Sequence, residues 1–318
     1  MSVSPSNKKK QVTRRQHWLP KASYLNNFAE DGKVLTYWLK DKDKTNFMIT
    51  AEKKRIAPIN LGVKKDLYET PNTPDNLTED ALATIEAEYG KVLKNKILKR
   101  KPLDEEELNT VAYYASTLES RTPSSFAGFE SGLDELEDKL RKMSIIYTGS
   151  EDAAREQIEG VRQAKAELPA TVVATAADVN KWNLLDLCFL IIPDNVTSRF
   201  ITSDHPVTMY DFTCSNGPYG IPIGSKTAEF VVPLSPTIAL FGNSCGITDY
   251  REVDYNFVSE INQRVLTRSE KILISKNELG AREGKSILLH RPQSLLLKFL
   301  DLPDGRMDDL AAKATESD

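Results

Sequence analysis

The sequence is short of the features that name a function outright. Its 318 residues include only three cysteines, Cys188, Cys214 and Cys245. None stands in C-x-x-C spacing, so a disulfide framework and a zinc site built of cysteine alone are both excluded, and a reducing cytoplasm fits best. No stretch approaches the roughly 18 continuous apolar residues of a membrane span, and the basic N-terminus has no apolar core behind it. A soluble cytoplasmic protein with no membrane partner is expected. Nor is there a large excess of charge of one sign. The formal net charge is −4, which provides no global attraction to nucleic acid or anionic lipid and leaves any such binding to a local patch. A phosphate-cradling loop is missing as well, because Ser215-Asn216-Gly217-Pro218-Tyr219-Gly220 lacks the Lys-Ser/Thr that completes one. No internal repeat, heptad run or low-complexity core segment is read, and nothing indicates an organic cofactor.

What is there reads as one folded body with two charged ends. Residues 1–15 form a basic arm carrying Lys8-Lys9-Lys10 and Arg14-Arg15, and residues 301–318 form an acidic tail with Asp304, Asp308 and Asp309. Both have the composition of solvated, disordered tails. Between them, residues 16–300 make a single domain, largely helical over about 16–186 and rich in strands over about 187–300. The spacing of Tyr24, Leu25 and Phe28 predicts a short helix behind Pro20, and 34–39 with 47–50 predict a hairpin around a polar linker. Leu82, Ile85, Tyr89, Val92, Leu93 and Ile97 make one helical stripe. Residues 104–121 read as a second helix, opened by Asp104 to Glu107 in capping-box order and stopped by Thr122-Pro123. Residues 133–143 and 151–168 are helical with solvated charged faces. The apolar run 184–192 reads as a buried strand, followed by a turn at Ser203-Asp204-His205-Pro206. Strands are then expected at 229–233, 237–241 and 271–275, with a helix bearing Phe257, Ile261, Val265 and Leu266 between the last two. Because helices cluster first and strands later, the fold class is α+β, with the helical half packed on one face of a mainly antiparallel sheet.

Four polar residues stand out. Glu86 falls at the edge of the apolar stripe, aimed toward the core side, where a carboxylate needs a basic partner. Glu79 lies on the same line, but Asn76 to Glu79 has capping-box spacing and the glutamate reads as a cap. Arg121 continues the buried face of the second helix, so it either answers the helix dipole or reaches inward to a carboxylate or phosphate. Asp204 sits in a turn at a strand edge, placed either to face a cleft or to bind backbone amides locally. His17 precedes the first short helix, where it could cap that helix or face a site. Ser203, Asp204 and His205 are consecutive and cannot form one serine triad on an extended chain.

The His17-Trp18-Leu19-Pro20 start, Tyr68, Ile85-Glu86, Arg121-Thr122-Pro123, Ser203-Asp204-His205-Pro206 and Val232-Pro233-Leu234-Ser235-Pro236 together resemble a family of bacterial proteins described as domain of unknown function four-two-three-eight. The resemblance runs from about 16 to 275. His205 departs from it, since Asn often stands after the aspartate in that family, and no family role is assigned to His205. The resemblance marks His17, Glu86, Arg121 and Asp204 as the candidate site. Glu86 and Asp204 together are expected to hold Mg²⁺ or Mn²⁺ through hard oxygen ligands, Arg121 to bind a phosphate, and His17 to move a proton. That set suits a metal-dependent hydrolase of phosphodiester bonds, a nuclease or nucleotide hydrolase of the kind found among toxins and phage-defence effectors, with nucleic acid or nucleotide as partner. The alternative is a non-catalytic binding protein in which the same four residues form a structural network joining the two halves.

Overall fold

The computed structural model describes residues 13–40, 44, 50–71, 76–178, 185–213, 221, 225–289 and 293–300. Most of the basic arm, the acidic tail, Phe47, Cys214 and the 215–220 loop lie outside the described residues. Arg14 and Arg15, assigned above to the arm, belong to the folded body: Arg14 pairs with Asp66 at 3.1 Å, and Arg15 opens strand β1 (Arg15–His17).

The fold is α+β. Strands β2 (Val34–Trp38), β3 (Glu52–Ile56) and β4 (Val63–Lys65) come early. Helices α1 (Leu77–Asn95), α2 (Glu105–Ser120), α3 (Pro123–Thr148), α4 (Arg155–Ala166) and α5 (Leu168–Asp178) follow. Strands β5 (Asp186–Ile191), β6 (Thr202–Ser203), β7 (Thr208–Asp211), β8 (Ala228–Ser235), β9 (Ile238–Asn243) and β10 (Asp249–Glu252) come next. The described chain closes with α6 (Tyr255–Arg268), β11 (Ile272–Ser275), α7 (Ala281–Leu289) and α8 (Leu295–Phe299). The expected hairpin is present, but the partner of β2 lies further along the chain than 47–50 and is the β3 segment.

The described residues form three sheets. A five-stranded sheet runs in the order β10-β5-β9-β8-β7, antiparallel except for the β10–β5 edge. A four-stranded antiparallel sheet, β3-β2-β11-β6, joins strands from both ends of the sequence, and β1 pairs with β4. The β5 run is continuously apolar because both faces of its sheet are covered. Leu187, Phe189 and Ile191 pack with Tyr89, Leu93, Val111 and Ala115 of α1 and α2. Cys188 and Leu190, one residue out of phase, pack with Val258 and Ile261 of α6 and Leu295 and Leu296 of α8. The helical half therefore packs on one face, as expected, and α6 and α8 of the strand-rich half cover the other. Burying a side chain of the Phe189 kind is worth about 1.5–3 kcal/mol.

Local chemistry fixes the ends of the elements that carry the site. The capping box at α2 is present: Glu107 N donates to Asp104 Oδ1 at 2.9 Å and Asp104 N to Glu107 Oε2 at 3.0 Å. Thr122-Pro123 ends α2 as expected and at once begins α3, with Thr122 as N-cap and Pro123 in the first turn. The capping box expected at Asn76 is not formed. Asn76 adopts a left-handed conformation (φ 65°) without a side-chain cap bond, and its Oδ1 instead accepts from Thr13 N at 2.7 Å. Gly62, at φ +59°, accepts the amides of Trp18 and Leu19 on its carbonyl. A Cβ at that position would come within 2.5 Å of Leu19 Cβ, so glycine lets the His17-Trp18-Leu19 segment close onto the body.

The charged helix α3 also holds a pattern that the sequence reading passed over. Phe126, Phe129, Leu133, Leu136, Leu140, Met143 and Tyr147 recur at alternating steps of three and four, which is a heptad spacing. Interleaved charges hid it.

Candidate functional site

The site grows from the joint between α2 and α3. Arg121 caps α2 and turns its side chain inward, where it is completely buried. Its Nη1 donates to Glu86 Oε1 of α1 at 2.8 Å, and Glu86 keeps 23 % of its side chain exposed. The other Glu86 oxygen accepts from Ser23 Oγ at 3.3 Å. Ser23 in turn accepts from Tyr114 at 3.0 Å, and the Tyr114 ring stacks on Tyr89 with centroids 3.6 Å apart. Tyr68 donates to the His17 carbonyl at 3.1 Å and lies close enough to Arg121 to feel its charge. Among the described residues, Arg121 Nε and Nη2 have no hydrogen bond of good geometry. Each such atom buried without a partner costs on the order of 1–3 kcal/mol.

Two further ionisable groups complete the cluster. His17, on β1 opposite Val63, points Nε2 at the Ile59 carbonyl at 3.3 Å. Burial lowers its pKa, while that carbonyl and the Glu86 charge push back the other way. Glu79, freed from the cap role expected for it, is half-buried two turns before Glu86 on the same helix face. Burial, and after it the Glu86 charge, push its carboxyl up to about 7 against the pull of Arg121. Spacing could have found it: Glu79 and Glu86 are seven residues apart on the stripe edge, but the apparent capping box explained Glu79 too readily.

Three of the four residues singled out in the sequence, His17, Glu86 and Arg121, thus come together. Asp204 keeps other company. Its Oδ1 accepts from Glu270 N at 2.9 Å, and its Oδ2 from Lys271 N at 2.7 Å and Ile272 N at 3.2 Å. Burial pushes this carboxyl up, opposed by the three amides. Among the described residues its hydrogen bonds share no residue with those of Glu86. The reason is topological: Asp204 follows β6 and meets the start of β11, whereas Glu86 faces the α1–α2 side. Tyr24, next to Ser23, reaches toward the Asp204 side, with its hydroxyl 2.7 Å from Thr202 Oγ1. His205 is buried with Nδ1 3.0 Å from the Val207 carbonyl, and burial drives its pKa down to about 4.

Among the described residues no group of three or more His, Cys, Asp or Glu is placed to hold a metal ion, and none of their helices is long and apolar enough to cross a membrane. A cleft of about 250 Å³ opens elsewhere, between the start of α2 and the β5–β10 edge. It is lined by Leu103, Leu108, Asp186, Phe189 and Tyr250 among others, and by none of the four residues. The sequence reading also missed a buried ionic network in the second half. Arg264 of α6 contacts Glu229 of β8 at 3.5 Å and Glu260 at 2.8 Å, and Glu229 accepts the Leu295 amide that begins α8.

A two-sided α+β body whose first half gathers histidine, carboxylates and a buried arginine defines the class. The model for the family described as Protein of unknown function (DUF4238) matches residues 15–278, and the chain belongs to that family. No curated protein and no solved structure matches it.

Proposed function

We propose that the protein is a hydrolase of phosphodiester bonds in nucleic acid or a nucleotide, working in a reducing cytoplasm at the cluster of His17, Glu79, Glu86 and Arg121. The observation that carries this reading is the pairing of unlike groups in one place. A fully buried guanidinium holds Glu86 with one nitrogen and has the Tyr68 hydroxyl close by; among the described residues its other two nitrogens make no hydrogen bond of good geometry, and beside it stands a carboxyl pushed up to about 7. A guanidinium fork suits phosphate oxygens, and a carboxyl that titrates near neutral pH is suited to pass protons in either direction. In this reading Glu86 is held by Arg121 at the exposed edge of the site, Glu79 gives or takes the proton, and His17 borders the entrance. Mg²⁺ or Mn²⁺, if used, would meet Glu79 and Glu86 rather than Asp204, with substrate oxygens and water filling the remaining positions.

One observation favours a second reading for part of the set. The Asp204 carboxylate is fully occupied by backbone amides, so that residue acts as architecture.

The test is a cleavage screen of single- and double-stranded DNA, RNA and nucleotides with Mg²⁺, Mn²⁺ or a chelator, run on the wild type and on Glu79→Gln and His17→Ala. Cleavage that falls at least about 100-fold in Glu79→Gln, with a melting temperature no lower than that of wild type, is expected. No cleavage of any substrate, or cleavage indifferent to Glu79, would leave a binding role as the better account.

A further inference from the structure

Helix α3 leaves an apolar stripe uncovered. Of its heptad residues, Phe126, Leu133 and Leu140 are half-buried, while Phe129, Leu136, Met143 and Tyr147 are 54, 45, 53 and 78 % exposed. A stripe of this kind ordinarily faces a core, and four large apolar side chains in one row on a single helix form a contiguous patch of the sort that marks an interaction surface. Gly128 and Gly132 border it, and a Cβ at either would meet open space, so no side chain bars an approaching helix there.

We infer that this stripe is the seam of an antiparallel contact between two copies of the chain, α3 against α3. The distribution of charge selects both the occupant and the direction. Along the helix, the acidic Asp134, Glu135, Glu137 and Asp138 come first and the basic Lys139, Arg141 and Lys142 follow. When two copies lie antiparallel with a two-fold axis beside Asp138, Phe129 is level with Tyr147 of the second copy, Leu133 with Met143, and Leu136 with Leu140. From Phe129 to Tyr147 every apolar residue of the seam thereby finds an apolar partner, and Phe126 lies beyond it, level with Ser150. The same register sets Asp134 level with Lys142 of the second copy, Glu135 with Arg141 and Glu137 with Lys139. A parallel arrangement would set each charge level with its own kind. Some of these groups already have partners within the chain. Glu137 binds Arg141 and Lys165, and Arg141 also binds Glu151. Asp134 binds Lys165. Glu135 and Lys139, 67 and 68 % exposed, pair with each other at 3.9 Å, an exposed pair that can exchange partners across the contact. A surface that complements itself through a two-fold axis is what an isologous dimer requires. A lipid surface, by contrast, would favour a uniformly basic border.

The test uses the full chain. Sedimentation velocity at micromolar concentrations is expected to give a particle of twice the 35.6 kDa chain mass. Leu136→Glu and, independently, Met143→Glu should weaken self-association on the order of tenfold or more without changing the circular dichroism spectrum. If Leu136→Glu disturbs the helix, the more exposed Met143→Glu decides. For direction, Leu136→Cys protein is mixed with Leu140→Cys protein and oxidised. The mixed cross-link should dominate, and a dominant self-cross-link of Leu136→Cys would overturn the antiparallel arrangement. A monomeric wild type, or dimers that survive both glutamate substitutions, would overturn the proposal altogether.

Discussion

Two buried charges, less than a third of the chain apart in sequence, are treated in opposite ways. Asp204 has each oxygen occupied by the amides of 270–272. Arg121 has one nitrogen on Glu86 and, among the described residues, two without a hydrogen bond of good geometry. Where a buried charge is completely satisfied by backbone, its role is to hold segments together, here fixing the start of β11 beside β6. A buried charge left partly unsatisfied costs stability that folding alone does not explain, and a ligand that supplies the missing acceptors would restore that loss. On the function proposed above, the contrast separates an architectural region from a binding one.

The largest expected effect comes from Asp204→Ala, which strips three amides of their acceptor. A loss of about 3–5 kcal/mol should appear as a fall in Tm on the order of 10 °C, with Asp204→Asn intermediate. A Tm within a degree or two of wild type would break the comparison on that side. On the other side, Glu86→Gln removes the partner of a buried guanidinium and should cost about 3 kcal/mol. Arg121→Met in the same chain should recover part of it, giving a coupling of at least about 1 kcal/mol in a double-mutant cycle. Inorganic phosphate should raise the Tm of the wild type but not of the Arg121→Met variant, by mass action on the folded state. Equal stabilisation of both would detach anion binding from Arg121.

The titrations give smaller effects. Glu79 has a folded pKa above its unfolded one, so its contribution to stability is fully present below about pH 4.5 and is lost as pH rises through about 7. Relative to Glu79→Gln, the wild type should lose no more than about 3 kcal/mol between pH 4.5 and 8. Parallel pH profiles for the two proteins would show that Glu79 is solvated instead of buried against Glu86. His205 behaves with the opposite sign. Its folded pKa of about 4 lies below the unfolded value, so stability is complete above about pH 6.5 and declines as pH falls toward 4. His205→Asn should flatten that acid limb, as measured by urea melts at pH 4.5 and pH 7.

Much of the architecture was legible in the sequence, because period and punctuation were strong. The stripe from Leu82 to Ile97, the Asp104 capping box and the apolar run through β5 each follow from one local rule. Convergence was only half legible. Arg121 and Glu86 sit on neighbouring helices, each on its own buried face, so their meeting could be anticipated. Asp204 offered a turn and a carboxylate, but the three amides that claim it lie more than sixty residues later, beyond any local pattern. Glu79 was hidden by a cap that its spacing imitates, since the left-handed conformation of Asn76 is set by the contact with Thr13. The heptad of α3 was obscured by the charges between its apolar positions.

The four-stranded sheet also constrains the order of events during synthesis. Strand β2 is central in that sheet, and its neighbour β11 begins on the order of 230 residues after β2 ends. At translation rates of roughly 5–20 residues per second, the Val34–Trp38 strand leaves the ribosome some tens of seconds before the edge that will cover it. During that interval Val34, Leu35, Tyr37 and Trp38 offer an apolar, hydrogen-bond-hungry edge to any other nascent chain. The neighbouring strand β3 reads Glu-Lys-Lys-Arg-Ile, so one side of the early hairpin is densely charged, and that composition discourages pairing while the hairpin waits for the end of the chain.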